Sequence, residues 1–82
     1  MITNTDRFYE FTEQVIQKCL NHGYGDIAQQ LDDAMHLGSS GLEILGAIKA
    51  VIVARRAELN IVFDKYTLDE LVQYVNKEFG ME

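Results

Sequence analysis

Apolar residues recur with the helical period along four segments of the chain, and glycines lie between these segments. The first segment covers about residues 5–21, and one stripe of it carries Phe8, Phe11, Val15 and Cys19. Asn4 or Thr5 can cap its start, because a side-chain oxygen there accepts a hydrogen bond from the first helical turn. Gly23 can adopt the left-handed conformation that ends a helix. The pattern therefore predicts an N-terminal helix.

The next two segments predict a short helix followed by a long apolar one. The short helix covers about residues 25–36, and Gly38 follows its end. The long helix covers about residues 40–57 and opens with Ser40 and Glu43 in the spacing of a capping box. Its middle is apolar on nearly every side, which is typical of a helix buried against several neighbours. We therefore expect this third helix to lie at the centre of the domain.

A fourth helix is predicted over about residues 68–79. Thr67 and Glu70 have the spacing of a second capping box, and Gly80 follows the last apolar position. The four periodic segments together predict an all-α, compact four-helix domain that spans residues 1–82.

The connection between the third and fourth helices, about residues 58–66, has a different pattern. Leu59, Ile61 and Phe63 recur at every second position, and this alternation indicates extended backbone. A single strand has no partner in this chain, so we expect an extended connection held by these three side chains. The alternative is a short strand completed by a second copy of the protein.

Composition and charge narrow the class of protein. A hydrophobic fraction of 48% predicts a folded core, and the only cysteine, Cys19, cannot form an internal disulfide, which favours a reducing, cytoplasmic setting. No apolar run approaches the ~20 residues that span a bilayer, and residues 1–7 lack the basic start of a signal peptide. Thirteen acidic residues against seven basic ones give a net charge of −6, which argues against nucleic-acid binding. The acidity favours either simple solubility or a basic partner.

Three local patterns in the sequence are candidates for chemical sites. The Gly-Ser-Ser-Gly turn at 38–41 resembles a phosphate loop but lacks its lysine, so a turn and helix cap is the better interpretation. Asp32, Asp33 and His36 fall within one helical turn, but a zinc site needs more ligands than this turn supplies. Cys19 lies on an apolar stripe, where a thiol is inert. The sequence therefore predicts no enzyme, no cofactor and no metal site.

Without chemistry of its own, the chain is best interpreted as an acidic protein-binding module. Tyr24, Asp26, Asp32 and Asp33 lie on or just before the second helix, and tyrosine beside carboxylates is a common composition for a binding surface. Such a surface would suit an inhibitor or immunity-type protein that neutralises a basic partner, for example a toxin nuclease.

Two other function classes stay open from the sequence. A structural or assembly role, as a homodimer or a subunit, is suggested by small residues along one stripe of the third helix: Gly46, Ala47, Ala50, Ala54 and Ala57. Such a stripe lets another helix approach closely, and we expect a helix of the same chain to cover it rather than a second copy. A small-molecule or metal-sensing regulator is supported only by the turn at 38–41 and the residues of 32–36.

Overall fold

The computed structural model describes residues 2–37 and 40–80, and within these ranges all regular structure is α-helical. The described residues form five helices, α1 (Thr5–Asn21), α2 (Gly25–Met35), α3 (Gly41–Ala54), α4 (Arg56–Val62) and α5 (Lys65–Glu78). The prediction of an all-α domain is confirmed, whereas the predicted number of helices is one too low.

Both ends of α1 are set by local hydrogen bonds. The Asn4 Oδ1 accepts from the backbone N–H of Arg7 at 2.8 Å, as a cap should. At the other end Gly23 has a φ of 82°, and the N–H of Tyr24 donates to the carbonyl of Cys19 at 2.8 Å. This arrangement is a Schellman motif, which ends the helix and turns the chain so that α2 packs along α1. The predicted cap and stop of the first helix are confirmed.

Helix α4 lies where the sequence predicted an extended connection, and that prediction is wrong. Leu59 and Val62 are buried, whereas Ile61 is 73% exposed. The buried pair has the i, i+3 spacing of one helical face. The apparent alternation arose because Ile61, which faces solvent, is as apolar as its buried neighbours. No strand occurs in the described ranges, so the alternative of a strand shared with a second copy is also wrong.

The long third helix of the prediction is interrupted at Arg55. The N–H of Arg55 still bonds to the carbonyl of Val51 at 2.9 Å, but its φ of −111° and ψ of 25° depart from helical values. Helix α3 therefore ends at Ala54, three residues earlier than predicted, and α4 begins at Arg56.

Helix α5 begins earlier than the predicted Leu68, and its cap is Asp64. The Asp64 carboxylate accepts from the backbone N–H of Tyr66 at 3.1 Å and from the Thr67 hydroxyl at 2.9 Å. The predicted capping box of Thr67 and Glu70 is therefore wrong, because Thr67 already lies inside the first turn. Gly80, with a φ of 72°, follows the helix as predicted.

The core is shared between α1 and α3 and does not surround a single helix. Each of these two helices packs against α2, α4 and α5. Helix α3 buries Leu45, Ile48 and Ile52 but leaves Val53 57% exposed. A third helix covered on all sides is thus not confirmed. The buried apolar residues form one cluster, made of Ile2, Phe8, Val15, Cys19, Ile27, Ala28, Leu31, Ala34, Leu45, Ile48, Ile52, Leu59, Val62, Leu68, Leu71, Tyr74 and Val75.

Candidate protein-binding surface

Negative charge is unevenly distributed along the chain. Residues 1–37, which contain α1 and α2, carry six carboxylates and two cationic side chains. Residues 38–82 carry seven carboxylates and five cationic side chains. The α1–α2 half therefore accounts for −4 of the net charge of −6.

Two arginines next to each other bind carboxylates of other helices where α3 meets α4. Arg55 donates to Asp26 of α2 at 2.8 Å and to Glu58 of α4 at 3.1 Å. Arg56 pairs with Asp69 of α5. We call these five residues the arginine junction. Because it joins α2, α4 and α5 at the break after α3, its charges serve the fold.

Proton affinities in the arginine junction follow from this pairing. The hydrogen bond from Arg55 is the main cause that holds the pKa of Asp26 below its usual value. Hydrogen bonds to Asp26 and Glu58 in turn raise the pKa of Arg55, with Asp26 the larger contributor. Asp26 also lies in the first turn of α2, where the helix dipole favours a negative charge. The sequence did not indicate that Asp26 pairs with Arg55, which links α2 to the break after α3.

Asp32 and Asp33 lie in a different environment at the other end of α2. Both are exposed, and neither pairs with a lysine or arginine among the described residues. Asp33 accepts a hydrogen bond from Gln29 at 2.8 Å, and Asp32 lies 3.5 Å from Nδ1 of His36. The last turn of α2 holds no basic residue, so both carboxylates face the negative end of the helix dipole. Their position lowers the stability of the helix.

The structure places the four residues predicted to form one binding patch in different environments. Tyr24 is half-buried and packs against the core. Asp26 and Asp32 are six residues apart on α2, a rise of about 9 Å along the axis. Asp32 and Asp33 form an exposed acidic pair without a lysine or arginine partner in the described ranges, whereas Asp26 is bound to Arg55.

A groove between α1 and α2 was not predicted from the sequence. It consists of two adjoining depressions of about 270 Å³ and about 200 Å³, both lined by Ile16, Gln17 and Asp32. We call this feature the acidic groove, and its other lining residues are Glu13, Leu20, Gly25, Ala28, Gln29 and Met35. In the sequence, the only sign of this groove is the apolar Leu20 beside the buried stripe of α1. In the structure, Leu20 is 52% exposed.

A larger groove of about 530 Å³ runs along another face of α1 beside Phe63. Its lining includes Arg7 and Lys18 as well as Glu10 and Glu13, so charges of both signs meet there. Arg7 is already occupied, since it pairs with Glu10 at 3.1 Å. This groove is larger than the acidic groove but has no preferred sign of charge.

The predicted small-residue face of α3 is covered only at one end. At Gly46, an added Cβ would lie 3.3 Å from the ring of Phe79, which shows that the chain itself packs there. Ala47 is half-buried against the core. The rest of the stripe, Ala50, Ala54 and Ala57, is exposed.

The described serine, histidine and cysteine residues that were candidates for chemistry cap helices, bond to the backbone or are buried. Residues 38 and 39 of the Gly-Ser-Ser-Gly turn lie outside the described residues, and Ser40 caps α3 by accepting from the N–H of Glu43 at 3.3 Å. His22 and His36 each donate from Nδ1 to a carbonyl four residues earlier, at 2.8 Å. Burial raises the pKa of the Cys19 thiol. Within residues 2–37 and 40–80, no cluster of three or more histidine, cysteine or carboxylate side chains could hold a metal ion.

No protein-family model matches this chain, and no curated protein or solved structure is significantly similar to it. Across the described part of the chain, every helix is too short or too polar to cross a bilayer.

Proposed function

We propose that this chain is an acidic protein-binding module that binds a basic partner protein through the α1–α2 half. An inhibitor or immunity-type protein that neutralises a cationic toxin, such as a nuclease, would have this character. The observation that carries the proposal is the position of Asp32 and Asp33, exposed, free of lysine or arginine partners and against the dipole of α2. Charges that oppose a helix dipole and lack a lysine or arginine partner are expected where a protein meets its ligand.

Electrostatics explains how such a module could act without any chemistry. A net charge of −6, most of it on one half, would attract a cationic protein over a distance and raise the rate of association. The active site of a nuclease is cationic because it binds phosphates, so carboxylates can occupy it in place of the substrate. This mode of action predicts strong dependence on salt.

The proposal is tested by finding the partner and measuring how fast it binds. The chain is immobilised, incubated with an extract of its native host at low salt, and the retained protein is identified, purified and tested for association kinetics. We expect a basic protein whose association rate falls tenfold or more when Asp32 and Asp33 are replaced by lysine. For a toxin, co-expression with this chain should restore growth of the host.

A matched control is available on α5. Glu78 is also an exposed carboxylate in the last turn of its helix, so Glu78→Lys changes net charge as Asp32→Lys does but at another surface. Asp32→Lys should slow association far more than Glu78→Lys. Equal effects of these two variants, or a rate that does not respond to salt, would contradict the proposal.

A second candidate function, assembly as a homodimer, is favoured by one observation on α3. Ala50, Ala54 and Ala57 are exposed together with Val53, which leaves a face of small apolar side chains at the surface. Light scattering would support a dimer if the mass were twice 9.3 kDa and fell to the monomer value in Val53→Asp. A monomeric mass over a wide range of concentration would exclude it.

A further inference from the structure

The floor of the acidic groove offers apolar surface that the fold covers only in part. Leu20 is 52% exposed, and Ile16 and Met35 are half-buried. Ala28 is buried beneath them, and its small side chain leaves depth between the helices. Methionine adapts its shape to different partners because its side chain is unbranched and flexible. The floor can therefore accept apolar side chains of another molecule.

The walls of the acidic groove carry charge of one sign. Glu13 of α1 and Asp32 of α2 are its charged lining residues, and Gln17 and Gln29 are the other polar side chains that line it. No lysine or arginine is among the described residues that line it, in contrast to the larger groove beside Phe63. Glu13 and Asp32 also pair with no lysine or arginine elsewhere in the described ranges. An occupant that complements this groove is apolar at its centre and cationic on both edges.

The length of the acidic groove fits a short helix. Glu13 to Leu20 on α1 covers a rise of about 10 Å, and Gly25 to Met35 on α2 covers about 15 Å. Two to three turns of a helix have this length, enough to place apolar residues at i, i+4 and i+7 against the floor. A helix with lysine or arginine beside that apolar face would bring cations to both walls.

We infer that the acidic groove is the docking site for a short basic amphipathic helix of the partner protein. The apolar face of that helix lies on Ile16, Leu20 and Met35, and its flanking cations meet Glu13 and Asp32. This inference rests on the proposed function, which requires a basic partner but does not specify where or in what form it binds.

Three synthetic peptides of about 14 residues test the inference with the full chain. The first has leucines at i, i+4 and i+7 among alanines and lysines, the second has the same composition in shuffled order, and the third has glutamate in place of lysine. We expect the first to bind ¹⁵N-labelled protein at low salt with a Kd on the order of 10 µM and to shift resonances of the acidic groove. The shuffled peptide should bind at least tenfold more weakly, and the glutamate peptide should not bind.

Two pairs of variants separate the apolar floor from the charged walls. Leu20→Ser is matched by Leu42→Ser on α3, since these side chains are 52% and 46% exposed. Asp32→Lys is matched by Glu78→Lys on α5. Leu20→Ser and Asp32→Lys should each raise the Kd of the first peptide tenfold or more, and the two controls should change it less than twofold.

The outcomes distinguish failure of the inference from failure of the proposed function. Equal binding of the shuffled peptide, or loss of binding in Asp32→Lys but not in Leu20→Ser, would overturn the groove and leave a basic partner in place. Resonance shifts on another surface would have the same consequence. If neither lysine peptide binds, the inference is overturned, whereas the proposed function is overturned only if no basic protein is retained from the host extract.

Discussion

The acidic groove and the arginine junction both use carboxylates of α2, but in opposite ways. At the junction, Asp26 lies at the start of the helix, where the dipole favours it, and Arg55 binds it at 2.8 Å. At the groove, Asp32 lies in the last turn, where the dipole opposes it, and no lysine or arginine of the described residues binds it. One helix of 11 residues thus has one end bound to an arginine of the fold and the other end exposed, without a lysine or arginine partner among the described residues.

This difference changes what the acidity of the chain means. Net charge averages over carboxylates that are neutralised by neighbours and carboxylates that are not. Asp26, Glu58 and Asp69 are committed to arginines, so they contribute little to the attraction of a partner. The free carboxylates of α1 and α2, with the apolar floor between them, define a surface that net charge alone could not locate.

The largest effect is expected beside the arginine junction, at Leu59. Leu59→Ala should lower the free energy of unfolding by about 2–5 kcal/mol, because Leu59 is fully buried and anchors α4 in the core. Ile61→Ala, in the same helix but 73% exposed, should change it by less than ~0.5 kcal/mol. Ile48→Ala on α3 should fall in the same range as Leu59→Ala. Urea denaturation measures all three.

Equal losses of unfolding free energy in Leu59→Ala and Ile61→Ala would show that residues 56–62 do not pack on the core as a helix. The arginine junction, which depends on that helix, would then be contradicted as well. Leu59→Ala should also leave the affinity of the acidic groove for a basic helix unchanged, under conditions where the variant is folded. A large loss of affinity would mean that the two regions are coupled and not separate.

The next effect concerns the guanidinium of Arg55. Arg55→Met removes the partner of both Asp26 and Glu58 and should lower the urea midpoint at pH 7. Arg55→Lys should lower it less, since a lysine keeps the charge but cannot bind two carboxylates in the fork geometry of arginine. A midpoint in Arg55→Met equal to that of the unaltered chain would show that the junction adds nothing to stability.

Acid should weaken the arginine junction. The pKa of Asp26 is lowered by Arg55, so its stabilising contribution is complete above the unfolded value of about 3.9. That contribution is lost as pH falls through the depressed folded pKa. Asp64, whose pKa is lowered by the Thr67 hydroxyl and the Tyr66 N–H, acts in the same direction. Urea midpoints between pH 7 and pH 2.5 should therefore fall less steeply in Asp26→Asn than in the unaltered chain.

Features that neighbouring residues determine could be predicted from the sequence, whereas features that depend on contacts between helices could not. The cap at Asn4 and the stop at Gly23 involve hydrogen bonds between residues at most five positions apart, so local composition was enough. The bond from Arg55 to Asp26 joins residues 29 positions apart, and no local pattern encodes it. The acidic groove likewise exists only once α2 packs on α1.

Helix α4 was missed for a different reason. The alternation of Leu59, Ile61 and Phe63 indicates extended backbone only if all three side chains are buried, yet Ile61 is the most exposed of the large apolar residues that the structure describes. The absence of glycine and proline from 47–79 was the better signal, because nothing in that stretch obliges a helix to give way to extended backbone.

The smallest effect on stability is expected at Asp32 and Asp33. Its sign shows whether this end of α2 stabilises the fold as the end at Asp26 does. Lysine at either position would replace a charge that the α2 dipole opposes with one it favours, so each variant should gain about 0.3–1 kcal/mol. Asp26→Lys should instead destabilise, because it places a cation beside Arg55 and at the positive end of the helix. Urea denaturation at low salt compares the three variants. Stabilisation at Asp32 together with slower binding of the partner would show a carboxylate kept for recognition at the expense of the fold, whereas destabilisation like that of Asp26→Lys would mean that both ends of α2 serve the fold.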